Sequence, residues 1–317
     1  MLFSACETDF DVNAEWEETT VVFGLLDASD ENQLQKIKIS KAFLGNMDAY
    51  QMAQYSDSIN YGVDELDVKI YKWDFNQIED SVELIAVPTY RDGKIFYDSI
   101  IVYQFDNVNS FLQKGYEYEL VVKNNKSGNL VSSRTEIVTG FDFDNIFTTK
   151  SKSFQFGLYT NNDFSSSTIT WDDSNDNGKI YQLDLIFHYT EIMDGVYTED
   201  SLIYSLPLID DTESKMKIEG NSFFNFLALN LDKNQSVIRY FNEIDMIMTV
   251  GSEDLETYIN VNKPITGIVQ ERPQFTNINN GIGLFSSRFK KIRFDYDLTS
   301  STLDYLKSVD GLDRNFQ

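Results

Sequence analysis

The chain has 317 residues, room for about two domains or one large β domain, and its 42% hydrophobic and 14% aromatic content fills a core and argues against disorder. Lys and Arg number 26 against 51 Asp and Glu, so the formal charge is −25, which repels phosphate backbones and makes nucleic acid a poor partner. One Cys and one His remove Cys/His zinc sites, multi-His metal centres, internal disulfides and catalysis that relies on a second His.

The N-terminus reads Met1-Leu2-Phe3-Ser4-Ala5-Cys6. An apolar residue followed by Ser, Ala and the sole Cys resembles a bacterial lipobox, where small side chains flank the scissile bond and the thiol carries the lipid. Phe3 stands where Leu is commonest, and no basic or long apolar segment precedes it, so residues 1–5 read as the remnant of a signal peptide. Glu7, Asp9 and Asp11 follow directly. This acidic run resembles the surface-export signal of Bacteroidota lipoproteins, and residues 6–18 form an acidic tether whose charges hold the body away from anionic head groups. No later segment has about 18 consecutive apolar residues, so the reading is an anchored chain without a spanning helix.

From residue 19 onward β signals dominate. Thr19-Thr20-Val21-Val22-Phe23-Gly24-Leu25-Leu26 is rich in β-branched and aromatic residues. Alternation with period two marks 35–40, 66–73 and 116–122 as half-buried strands, and 82–87, 94–105 and 130–138 continue the series. Arg91-Asp92-Gly93-Lys94 and Lys126-Ser127-Gly128-Asn129 supply turns. Helix-prone pieces lie at 46–54 and 107–113. The spacing predicts an immunoglobulin-like or transthyretin-like sandwich over 19–145.

A second mainly β domain is expected over 146–317, cut at Gly140-Phe141-Asp142-Phe143-Asp144-Asn145. Its strands are read at 154–159, 167–171, 179–189, 201–208, 244–250 and 264–269. Residues 223–231 are too uniformly apolar to type, and helix or buried strand both fit. Ser252 followed by Glu253 and Asp254 opens a helix over 253–259, and a capping-box-like start at Ser301 opens a C-terminal helix that Gly311 stops. The fold class is therefore mainly β, two sandwich-like domains with a few short helices.

Asp173-Ser174-Asn175-Asp176-Asn177-Gly178 matches the start of a calcium loop, and Asp184 falls at its twelfth position. Calcium takes six to eight oxygens, which short acidic and amide side chains at Asp173, Asn175, Asn177 and Asp184 supply around a sharp Gly turn. The other reading is a hairpin turned by Asn177-Gly178, with Asp184 on the solvent side of a strand. His188 sits between Phe187 and Tyr189 in a predicted strand and reads as a satisfied strand histidine. No nucleophile elbow, phosphate loop or dinucleotide fingerprint occurs, and no carboxylate pair is nominated for hydrolysis, so the chain reads as a non-enzyme. Among the aromatics, Trp171 at the mouth of the acidic loop is the ring expected to be exposed for ligand stacking.

Three stretches carry a wider resemblance: the Cys6 region with the strand after it, Lys114-Gly115-Tyr116-Glu117-Tyr118-Glu119-Leu120-Val121-Val122 with Ser132-Ser133-Arg134-Thr135-Glu136-Ile137-Val138, and Phe275-Thr276-Asn277-Ile278-Asn279-Asn280-Gly281-Ile282-Gly283-Leu284-Phe285-Ser286-Ser287-Arg288. In this order they resemble the outer-membrane lipoproteins of Bacteroidota encoded beside TonB-dependent receptors. The resemblance implies acylation of Cys6 (palmitate among the acyl groups), an outer-membrane, cell-surface location and a β-barrel partner, either a TonB-dependent receptor or an assembly or secretion barrel. A glycan-binding surface lipoprotein is the alternative. Asn280-Gly281 and Gly283 are expected to turn the chain tightly back into a sheet.

Overall fold

The computed structural model describes residues 19–29, 33–42, 59–90, 99–144, 152–157, 164–172, 177–210, 214–264 and 274–317. The alternating segments form strands. In the first half these are β1 (Thr19–Asp27), β2 (Leu34–Ala42), β3 (Leu66–Asp74), β4 (Gln77–Glu83), β5 (Ile85–Tyr90), β6 (Ser99–Asp106), β7 (Glu117–Asn124), β8 (Leu130–Glu136) and β9 (Asp142–Phe143). The second half adds β10 (Ser153–Phe154), β11 (Ser166–Asp172), β12 (Ile180–Met193), β13 (Val196–Ser205), β14 (Ile209–Asp210), β15 (Lys215–Glu219), β16 (Ile238–Gly251) and β17 (Gly281–Leu298). Three helices, α1 (Gly220–Asn230), α2 (Glu253–Asn262) and α3 (Ser300–Lys307), complete the described elements, with a single 3-10 turn at Val108–Ser110. The chain is mainly β and of sandwich type.

A ten-stranded sheet runs β13-β12-β16-β17-β1-β2-β6-β5, with β10 beside β17 and β14 beside β12. Against its β1-β2-β6-β5 half packs the sheet β4-β3-β7-β8. The period-two residues meet there: Val22, Leu26, Ile37 and Ile39 face Val68, Ile70, Tyr118, Leu120 and Val122 in one core. Each such fully buried side chain contributes about 1.5–3 kcal/mol of transfer free energy. The second core lies under the other half of the large sheet, where Leu183, Leu185 and Phe187 meet Ile169 and Ile218 of the sheet β15-β11-β9, Phe223 and Leu227 of α1, and Leu306 of α3. β17 serves both: Phe285 is buried in the first core, Tyr296 and Leu298 in the second.

Several sequence expectations change. Residues 82–87 are not one strand, because the chain leaves one sheet and enters another at buried Leu84, whose N–H reaches the Val68 carbonyl at 2.9 Å. The apolar stretch 223–231 resolves as helix, burying Phe223, Phe224 and Leu227 while Asn221 and Asn225 face outward, the spacing of a 3.6-residue turn. Ser252 begins α2, but its hydroxyl bonds that of Ser286 rather than capping the helix. The predicted helix at 46–54, the turn at 91–94, the strand at 264–269 beyond its first residue, and Asn145 at the end of the expected domain cut lie outside the described residues. So do residues 1–18, with the tether and Cys6.

Candidate functional site

Burial alternates along β12. Leu183, Leu185, Phe187 and Tyr189 point into the second core, so Asp184, Ile186, His188, Thr190 and Ile192 occupy the opposite face. The register carries that face across the sheet, from Tyr197 and Ile203 on β13 to Glu243, Asp245 and Ile247 on β16 and Ile292 on β17. The face is open: Tyr197 is 73% exposed, Ile203 60% and Ile292 40%.

At the centre of this face stands a polar cluster. His188 Nε2 lies 3.0 Å from Asp245 Oδ2. Asp245 is almost wholly buried, and its Oδ1 accepts the backbone N–H of Asp295 at 3.3 Å. Glu243 is the cross-strand partner of His188, and the ligand atoms of His188, Glu243 and Asp245 all lie within 4.8 Å of one another. Two register shifts set this up, one between His188 and Tyr189 and one between Ile244 and Met246, together with the left-handed φ of 65° at Asp295. Bulges of this kind re-aim side chains that a regular ladder would hold apart. Burial, then the hydrogen bond to Asp295 and the charges of Asp245 and Asp295, push the Glu243 carboxyl above the usual carboxylate range, against the opposing pull of His188. Elsewhere on the sheet Arg239 pairs with Glu191, Arg288 with Asp27, and Lys291 and Arg293 with Asp142.

The other candidate residues are dispersed. Cys6, Glu7, Asp9 and Asp11 lie outside the described residues, as do Asp173 and Asn175. Asn177 donates to Glu136 Oε2 at 3.0 Å, and Asp184 stands on the open face with its Oδ1 buried and without a hydrogen-bond partner among the described residues. The hairpin expected around Asn177-Gly178 does not form. β11 pairs with β15 and β9, whereas β12 pairs with β13, β14 and β16, so the two strands enter different sheets. Trp171 is corrected as well: it is 4% exposed, its ring packed 5.1 Å from that of Tyr181 in the second core. Its position on β11, in register with Phe143 of β9, turns it inward. A stacking ligand has no access to it.

Sequence reading reaches His188 but not its company. Asp245 is 57 residues away and meets it only because β12 pairs with β16. A signal was present in Glu243-Ile244-Asp245, two acids flanking a buried Ile in the middle of β16, which places both on the outer face.

No family model matches the chain, and no curated protein matches it. Among solved structures, a cytokine receptor complex aligns over 74% of this chain and 86% of its own, at 11% identity and a TM-score of 0.20. A likeness that weak carries no argument about fold or function.

Proposed function

We propose that this chain is a lipid-anchored, surface-exposed outer-membrane lipoprotein that serves as a non-catalytic binding or scaffold subunit of a β-barrel complex, in TonB-dependent transport or in outer-membrane protein assembly or secretion. The observation that carries the reading is the sole Cys, Cys6, behind Phe3-Ser4-Ala5 and ahead of Glu7, Asp9 and Asp11. The acyl chains confine the molecule to the leaflet, and two-dimensional confinement raises effective concentration, so a modest interface suffices. The open face around Tyr197 and Ile203 is the surface such a subunit would use, since exposed aromatic and aliphatic anchors dominate interface energetics. The glycan-binding alternative is left without the ring it required, because Trp171 is buried.

Purification of the tagged protein in mild detergent from its own outer membrane tests the reading. A stoichiometric β-barrel is expected to co-purify, and the barrel's identity separates transport from assembly or secretion. Cys6→Ala is expected to release the protein from the membrane fraction. A variant that stays membrane-bound and keeps its partner overturns the anchoring claim.

The contact face makes its own prediction. Tyr197→Glu combined with Ile203→Glu changes two exposed positions on an edge strand, so the fold is expected to keep its melting temperature within a few degrees. Co-purification of the barrel is expected to fall at least about tenfold, as burying an unpaired charge does at an interface core. Undiminished recovery of the barrel would move the interface elsewhere on the molecule.

A further inference from the structure

We propose that His188, Glu243 and Asp245 bind one divalent transition-metal ion of the Mn²⁺ or Zn²⁺ type on the open face of the large sheet. The donor set is one imidazole nitrogen with two carboxylates. Calcium and magnesium favour all-oxygen shells, whereas an imidazole with carboxylates suits first-row transition ions.

The spacing fits. Metal–ligand bonds of about 2.0–2.2 Å place adjacent ligand atoms roughly 3 Å apart, and His188 Nε2 and Asp245 Oδ2 already stand at 3.0 Å. All three donor atoms fall within 4.8 Å, so rotation of the half-buried Glu243 side chain closes the set. The donors sit on two paired strands rather than on a loop, and the Asp295 backbone N–H holds Asp245 in place. Rigid elements are what a precise site needs. His188 and Glu243 are half-exposed, so water or an incoming side chain reaches the remaining coordination positions.

The experiment is a Mn²⁺ titration of the chelator-stripped full chain, followed by loss of the aqueous Mn²⁺ resonance signal and by thermal denaturation. One Mn²⁺ per chain is expected, with a Kd on the order of micromolar. The melting temperature is expected to rise by several degrees at a hundredfold excess over Kd. Zn²⁺ is expected to displace the Mn²⁺, and Ca²⁺ at equal concentration to leave it bound. His188→Gln and Glu243→Gln are each expected to weaken Mn²⁺ at least tenfold. Without metal, Glu243→Gln is expected to melt at or above the temperature of the unaltered chain, since it thins a crowd of like charges, and this separates lost binding from lost folding. Asp173→Asn, in the acidic stretch of sequence before β12, is expected to leave Mn²⁺ affinity unchanged. The proposal is overturned by a Kd above about 1 mM, by equal binding in both Gln variants, or by loss of the ion in Asp173→Asn instead.

Discussion

Replacing Gly283 with Ala is expected to remove at least about 3–5 kcal/mol of stability, a large part of the 5–15 kcal/mol typical of a folded protein. Gly283 lies on β17 at φ +117°, a region that L side chains avoid, and faces Val22 across the parallel pairing of β17 with β1. A Cβ there would stand 2.0 Å from the Val22 carbonyl oxygen and 2.9 Å from its carbonyl carbon. The obstacle is backbone, so no side-chain rotation relieves it. The two strands must spread, and this seam is where the ten-stranded sheet passes from the strands of the first core to those of the second. Urea denaturation of Gly283→Ala beside Gly128→Ala isolates the steric share. Gly128 also has a positive φ, +77°, but nothing within 4 Å of an added Cβ, and its substitution is expected to cost only about 1 kcal/mol. Equal losses in the two variants would mean that β1 and β17 do not approach as closely as 2.0 Å implies.

The same glycine shows what the sequence made legible and what it did not. Asn280-Gly281 and Gly283 read as a place where the chain turns back into a sheet, and Asn280 does adopt a left-handed φ of 56° as β17 begins. The partner strand was invisible, because Val22 is separated from Gly283 by most of the chain. Local period was enough for β2, β3 and β7, whose burial alternates as their residues do, and β-branched and aromatic composition for β1. It failed where apolar residues run on both sides of a sheet change, as at Leu84. One strong local signal was also passed over. Asp194-Gly195, both at positive φ, turn β12 into β13, the pairing expected of an Asp-Gly hairpin. The candidate site was the least legible part. His188 looked solitary because Glu243 and Asp245 reach it through strand pairing, and Asp295 reaches Asp245 beside a bulge, none of which leaves a spacing to read.

Arg288→Ala is expected to cost about 2–4 kcal/mol, chiefly by leaving a buried carboxylate without its cation. Asp27 is 2% exposed and is the direct partner of Arg288 where β1 runs beside β17, with Arg288 Nε 3.0 Å from Asp27 Oδ2. Arg288 itself is about a third exposed, which admits water to one side of the pair and keeps the loss below that of a fully enclosed one. The backbone N–H and the hydroxyl of Ser29 also donate to Asp27, yet neither supplies charge. Desolvated charge is therefore the term that decides, and the double substitution Asp27→Asn with Arg288→Ala is expected to be less destabilised than the sum of its singles, with a coupling of about 1–3 kcal/mol. A double-mutant cycle by urea denaturation measures it. Strict additivity would assign the cost of Arg288→Ala to lost packing of its aliphatic stem over the groove that Phe23, Tyr258 and Leu284 line. The sheet would then be joined at this point by apolar contact and backbone pairing alone, and Arg288→Met would restore the loss that Arg288→Ala incurs.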